Sequence, residues 1–203
     1  MPFPSPPWQM NAQMWLSVFR VRDSGRADRP DGTYGVAFVS YEEGSPLTYL
    51  ELLVARLLDA RARQVRITDI WVDSPESLAG GRSLWAIPKD LAELDIDDRR
   101  LGPTAHTELA GHVAGREVAS GAFASLPGAA LLRAPFRATT SQVRAGPGAG
   151  ASGAEVLTPM AGSARTLPAL GSWEFTADGP LGFLHGRAPL ASFRLSDVRL
   201  RFG

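Results

Sequence analysis

Lys89 is the only lysine in a chain of 203 residues that otherwise writes positive charge as twenty arginines. Lysine does one thing arginine cannot: it loses its proton and attacks a carbonyl carbon to form an imine, because guanidinium stays protonated in proteins. The obstacle is acidity. With an ordinary pKa near 10.4, about one amine in 2,500 is free at pH 7, so an imine-forming lysine needs its pKa lowered by about 3 units, or ~4 kcal/mol. The surrounding stretch WAIPKDLAEL, residues 85–94, offers two such influences. Leu84, Trp85, Ala86 and Ile87 would strip water from the ammonium. A short helix predicted from Pro88 to about Leu94, with proline first and Asp90 and Glu93 near its positive end, would disfavour a cation there. The same features also describe a surface lysine at a helix start. A composition rich in arginine, alanine and glycine, of the kind a GC-rich genome produces, depletes lysine without regard to function.

Other constellations carry less chemistry. Gly148, Gly150 and Gly153 satisfy a GxGxxG spacing, with Glu174 about twenty residues on. The following AEVLTPMAGSART holds Pro159 and Gly162, which are incompatible with the crossover helix a dinucleotide fold requires. His106, His112 and His185 form no paired-ligand spacing, and Asp95, Asp97 and Asp98 lack the glycine and glutamate of a calcium loop, so they read as a solvated turn. No GxSxG elbow is present. The expectation is therefore no cofactor and no metal. Zero cysteines exclude thiolate and disulfide chemistry, and twenty-one basic residues cancel twenty-one acidic ones, so no net field favours nucleic acid or an anionic membrane. No apolar run approaches the ~20 residues of a membrane span. A cytoplasmic protein acting on a small molecule is the expectation.

The elements that must position Lys89 are mostly strands. Residues 1–8, MPFPSPPW, hold four prolines and predict an extended arm. Strands are predicted from Gln9 to Val21, Thr33 to Tyr41 and Val65 to Val72, with DSPESLAGG as a turn and SLWAI as an apolar strand leading into Pro88. Residues 47–63, LTYLELLVARLLDARAR, fit a helical face through Leu50, Leu53, Val54, Leu57 and Leu58, or equally a buried strand with Tyr49, Glu51 and Leu53 on one face. After Gly102, short alternations broken by glycine predict bent strands. Residues 143–154 read as a mobile loop, SWEFTADGPLGFL as a closing hairpin and ASFRLSDVRLRF as a last strand. The length fits a single domain, 1–203.

The run Ile67 to Leu94 resembles the acetoacetate decarboxylase family, whose lysine follows a Gly-Arg pair, an aromatic-apolar stretch and a proline; here these are Gly81-Arg82, SLWAI and Pro88-Lys89. Upstream, Tyr49-Leu50-Glu51 is similar to the family's Tyr-x-Glu. The resemblance implies a mainly β fold, an antiparallel cone-shaped barrel with flanking sheet and a few short helices, with Lys89 in the lumen, and usually a homo-oligomer. It makes 47–58 a strand and sets Glu51 opposite Lys89 as acid/base, with Gln13, Tyr49 and Trp85 as substrate contacts. Two positions depart from true acetoacetate decarboxylases: Asp90 stands where they carry a second lysine, and Ala12 lies nearest their first-strand arginine. The reading that follows is a Schiff-base lyase of decarboxylase or aldolase-dehydratase type, acting on a small keto acid or ketone through a Lys89 imine. The alternative is a noncatalytic β-barrel that binds an apolar small molecule.

Overall fold

The computed structural model describes residues 2–126, 132–144 and 153–203. In chain order the elements are β1 (Trp8–Val21), β2 (Gly32–Tyr41), β3 (Tyr49–Asp59), β4 (Gln64–Val72), α1 (Pro75–Trp85), β5 (Lys89–Leu91) and β6 (Glu93–Leu101). They continue with β7 (Thr104–Val113), β8 (Arg116–Ser125), β9 (Arg133–Arg144), β10 (Ala154–Phe175), a 3₁₀ turn at Gly182–Leu184 and β11 (Ala191–Phe202). Neighbours run β11-β1-β2-β3-β4-β9-β10, and β10 pairs back onto β11, which closes the ring into a barrel. β10 is 22 residues long; its first part pairs with β9 and β11, and from Leu170 it pairs with β8, carrying β7 and β6 as a flanking sheet. Most pairings are antiparallel, with parallel seams at β4–β5 and β4–β9. The expected β-barrel with flanking sheet is the observed architecture.

Period-2 alternation divides the ring's side chains between two cores. β1 sends Trp15, Phe19 and Val21, and β3 sends Leu52 and Val54, to a core shared with Leu109, Phe123 and Trp173 of the flanking sheet. The opposite face carries Met10 and Ala12 from β1, Ala37 and Val39 from β2 and Tyr49 from β3, packed with Ile70, Trp85 and Ile87. Burial on both faces is why the 47–63 run carries leucines at every spacing and imitates a helix.

Several expectations change. DSPESLAGG and SLWAI, read as a turn and a strand, form α1. Ser74 caps it by accepting from the Ser77 N–H at 3.1 Å, and Pro75 occupies the first turn. The helix ends at Ala86, which takes a left-handed conformation at φ 55°, while the Ile87 N–H donates to Gly81 O. The helix expected from Pro88 to Leu94 is instead β5 followed by the start of β6, so no helix N-terminus lies at Lys89 itself. Asp95, Asp97 and Asp98 lie within β6 rather than in a turn, and Asp98 accepts from Thr107 and pairs with Arg194. SWEF is the end of β10, and the chain after it makes the 3₁₀ turn instead of a hairpin's second strand. Of the expected 143–154 loop, Val143 and Arg144 end β9 and Ala154 begins β10; 145–152 lie outside the described residues. The arm ends at Trp8, which is buried in β1 and donates from its indole N–H to Pro4 O. Among the described residues no helix is long and apolar enough to cross a membrane.

Candidate active site

Lys89 is positioned by β5. That short strand lies parallel to β4 with Ile70 opposite Lys89 and Trp71 opposite Asp90, so alternation turns the Lys89 side chain inward and Asp90 outward. The Lys89 side chain is 5% exposed and that of Asp90 67%. The Gly-Arg pair of α1 fixes this arrangement from the other side. A Cβ on Gly81 would lie 2.8 Å from Lys89 Cδ and 2.9 Å from Cε, so only glycine lets the lysine stem run flat against the helix. Arg82 donates from Nε to the Lys89 carbonyl at 2.7 Å and pairs through Nη2 with Asp90 at 2.5 Å. Asp90 is thereby held by a guanidinium on the outer side and does not face the amine.

The amine ends among three acceptors: Glu51 Oε2 at 2.8 Å, Ser77 Oγ at 2.8 Å and Tyr49 Oη at 3.3 Å. Three acceptors suit the three N–H groups of an ammonium. The second carboxylate oxygen of Glu51 accepts from the Tyr41 hydroxyl at 3.1 Å, and the Tyr41 and Tyr49 rings pack tilted at 33° with centroids 4.5 Å apart. Tyr49, Glu51 and Lys89 are buried. Burial alone would push the Lys89 pKa down, but the Glu51 carboxylate and the hydrogen bonds from the amine to Glu51 and Tyr49 outweigh it and hold the pKa above the ordinary lysine value. The expected depression is therefore reversed in the resting site, because the desolvating wall comes with a paired anion. Burial also pushes the Tyr49 hydroxyl up to about 12 and that of Tyr41 well above its usual value, so both are neutral donors at pH 7.

Lys89, Glu51, Tyr49 and Tyr41 sit in the wall of a cavity of about 470 Å³ inside the ring. Around them the wall is apolar: Met10, Met14, Leu16, Leu53, Ile70 and Ile87 among others. Of the expected substrate contacts, Tyr49 and Trp85 line the cavity. Trp85 is also core, edge-on to Trp8 at 4.8 Å and to Phe202 at 4.7 Å. Gln13 does not line it. The even positions of β1 face inward, so Met14 takes the place expected of Gln13, whose amide donates to Glu42. Ala12 is buried with its methyl in the lumen cluster, and among the described residues no arginine, histidine or second lysine lines the cavity. Ser77 and Tyr41 were not found from sequence. Ser77 became visible only with α1, and Tyr41 only with the β2–β3 register that sets it opposite Tyr49.

The glycine-rich GxGxxG stretch precedes a strand rather than a helix, which removes the dinucleotide reading; Gly148 and Gly150 lie outside the described residues. Among the described residues no group of three or more potential metal ligands assembles.

The sequence model for acetoacetate decarboxylase matches residues 27–199. No curated protein is similar enough in sequence to match. Among solved structures, the enduracididine biosynthesis enzyme MppR with HEPES buffer bound is 17% identical, with a TM-score of 0.68 over 99% of this chain and 87% of its own. A structure described as acetoacetate decarboxylase is 14% identical, with a TM-score of 0.68 over 98% of this chain and 88% of its own. An acetoacetate decarboxylase-like enzyme from Sphingomonas wittichii is 15% identical, with a TM-score of 0.66 over 98% and 91%. At these identities the likeness is one of fold.

Proposed function

The chain belongs to the acetoacetate decarboxylase family, and from that premise we propose that it is a lyase in which Lys89 forms a Schiff base with a ketone or keto acid while Glu51 moves the protons. The observation that carries the reading is the buried Lys89 amine 2.8 Å from the Glu51 carboxylate, facing a large apolar cavity.

The resting pair is ammonium and carboxylate. For attack, Lys89 passes a proton to Glu51 and the free amine adds to the carbonyl carbon. The carbinolamine then loses water, with Glu51 returning the proton to the departing hydroxyl, and a protonated imine remains. That cation draws in the electron pair released when a neighbouring C–C or C–H bond breaks, giving an enamine. Protonation of the enamine carbon and addition of water release product and restore the amine. Once the substrate covers the site, water is excluded and the proton transfer from Lys89 to Glu51 no longer competes with hydration of either ion. The neutral hydroxyls of Tyr41 and Tyr49 can donate to Glu51 or to the carbinolamine oxygen without carrying charge. MppR has been solved in complex with pyruvate and with the condensation product of pyruvate and imidazole 4-carboxaldehyde; carbonyl compounds held in this fold support the same class of ligand here.

Borohydride reduction tests the reading. Incubation with acetoacetate, pyruvate or a simple methyl ketone, followed by reduction and peptide mass mapping, is expected to give a secondary-amine adduct on Lys89 and none in Lys89→Met. The noncatalytic alternative uses the ion pair only as architecture and predicts no adduct with any carbonyl compound. Absence of an adduct across that set would overturn the imine mechanism.

A further inference from the structure

The ion pair lies in the wall of a cavity whose volume exceeds what an acetate-sized substituent fills and whose remaining lining is almost wholly apolar. Register follows that lining along the ring. Glu51 stands opposite Val39; next come Leu53 opposite Ala37 and Ile70, then Ala55 opposite Gly35 and Ile67, then Leu57 opposite Val65. β1 supplies Leu16 beside Ala37 and Val18 beside Gly35. Glu51, Tyr49, Lys89 and Ile70 at the polar end are buried, whereas Leu16, Val18, Leu53, Leu57 and Val65 are only partly covered. The wall is therefore closed over the amine and only half-covered from Leu53 to Val65, with Met14 and Tyr41 partly covered beside Glu51. Apolar side chains that are half-covered along a concave wall gain by covering, and a ligand tail is continuous with the reacting end.

Two further observations bear on the occupant. The middle of the cavity is kept wide by small residues: Gly35, Ala37 and Ala55 share adjacent register positions. A Cβ on Gly35 would make only an ordinary contact, 3.5 Å from Leu16 Cδ1, so packing does not demand glycine there, although glycine weakens a strand. The second observation is charge. Lys89 is neutralised by Glu51, and among the described residues no other cation lines the cavity. A carboxylate entering this wall would be stripped of water with no counter-ion, which is strongly unfavourable.

Resting on the imine reading above, we propose that the substrate is an uncharged carbonyl compound with a long apolar tail, its carbonyl at Lys89 and its tail along Leu16, Leu53, Gly35 and Ala55. At about 30 Å³ for each water-sized group, a cavity of 470 Å³ holds about fifteen such groups, room for the carbonyl head and a tail on the order of ten carbons.

Binding, read from the fluorescence of Trp8 and Trp85 in the cavity wall and checked by calorimetry, separates this from the imine question. The probes are straight-chain 2-alkanones from 2-butanone to 2-dodecanone and 2-oxo acids of matching length. The dissociation constant is expected to fall about fourfold per added methylene until the cavity is full. Each 2-oxo acid is expected to bind at least tenfold more weakly than the ketone of its length. In Gly35→Val, and independently in Ala55→Leu, the gain per methylene is expected to stop at a shorter chain. Affinity that does not change with chain length, or 2-oxo acids that bind as tightly as ketones, would overturn the proposal. Borohydride trapping reads the other half: tight, length-dependent ketone binding without a Lys89 adduct would refute the imine and keep the ligand class. A pyruvate adduct with no chain-length dependence would keep the imine and refute the class.

Discussion

Lys89 is an ammonium at rest because its neighbours, Glu51 first and Tyr49 second, outweigh burial. Burial is the largest influence on its pKa and acts downward, while Glu51 leads those that raise it. Glu51→Gln keeps the shape and removes the charge, so burial should then dominate and free the amine at lower pH. The initial rate of borohydride trapping, measured from pH 6 to 11, is expected to reach half its plateau at lower pH in the variant, while on the imine reading turnover falls by ~10²–10⁴ because the amide cannot carry the proton. Superimposable profiles would show that Glu51 does not set the amine's charge. The same pair bears on stability in a defined direction. A folded-state pKa above the unfolded value means that the contribution is full below about 10.4 and is lost as pH rises through the folded value, so the pair protects against alkali only up to that range. Of the site, Lys89, Glu51 and Tyr49 were legible from residue type and motif. Gln13 was misplaced by one position, because in a strand one residue decides the face and Met14, not Gln13, has the inward parity.

The element that was misread explains the motif that was recognised. Ser74-Pro75-Glu76 is a legible helix start, but Gly80-Gly81 in its middle argues for a turn, since each glycine costs a helix interior about 1 kcal/mol. The structure shows what those glycines make room for. A Cβ on Gly80 would lie 2.6 Å from the Trp8 ring, and one on Gly81 would meet the Lys89 stem. Gly81→Ala should thus stabilise the isolated helix yet shift an amine pinned by three hydrogen bonds. Trapping at Lys89 is expected to slow by ~10²-fold, with the far-ultraviolet circular dichroism unchanged. Trapping at the wild-type rate would show that the stem yields without moving the amine. Tertiary fit overrides propensity here in the same way that two-sided burial turned the helix-like 47–63 run into β3.

At the scale of the whole molecule, alternation made the strands legible, while closure was not, because ring closure depends on β10 pairing with β11 and on β4 reaching β9, contacts that no local pattern encodes. Those two closures differ in strength. β10 and β11 share nine register pairs; β4 and β9 share two, Gln64 with Thr139 and Val65 with Thr140. The β4–β9 joint is reinforced by the Thr139 N–H on Arg63 O and by Arg66 on the Ser141 carbonyl. Val65 and Thr140 are also cavity wall. The joint is therefore where the barrel can breathe at least cost, and breathing there uncovers the half-covered wall rather than the amine. Deuterium uptake at backbone amides of β4 and β9 is expected to outpace that in β1 and β2, and to slow when a long-chain ketone is bound. Uniform uptake around the ring would rule this out. For the ligand proposed above, a hoop with one loose stave admits a tail from the side while Lys89 stays dry, so entry of that ligand and exclusion of water need not compete for one opening.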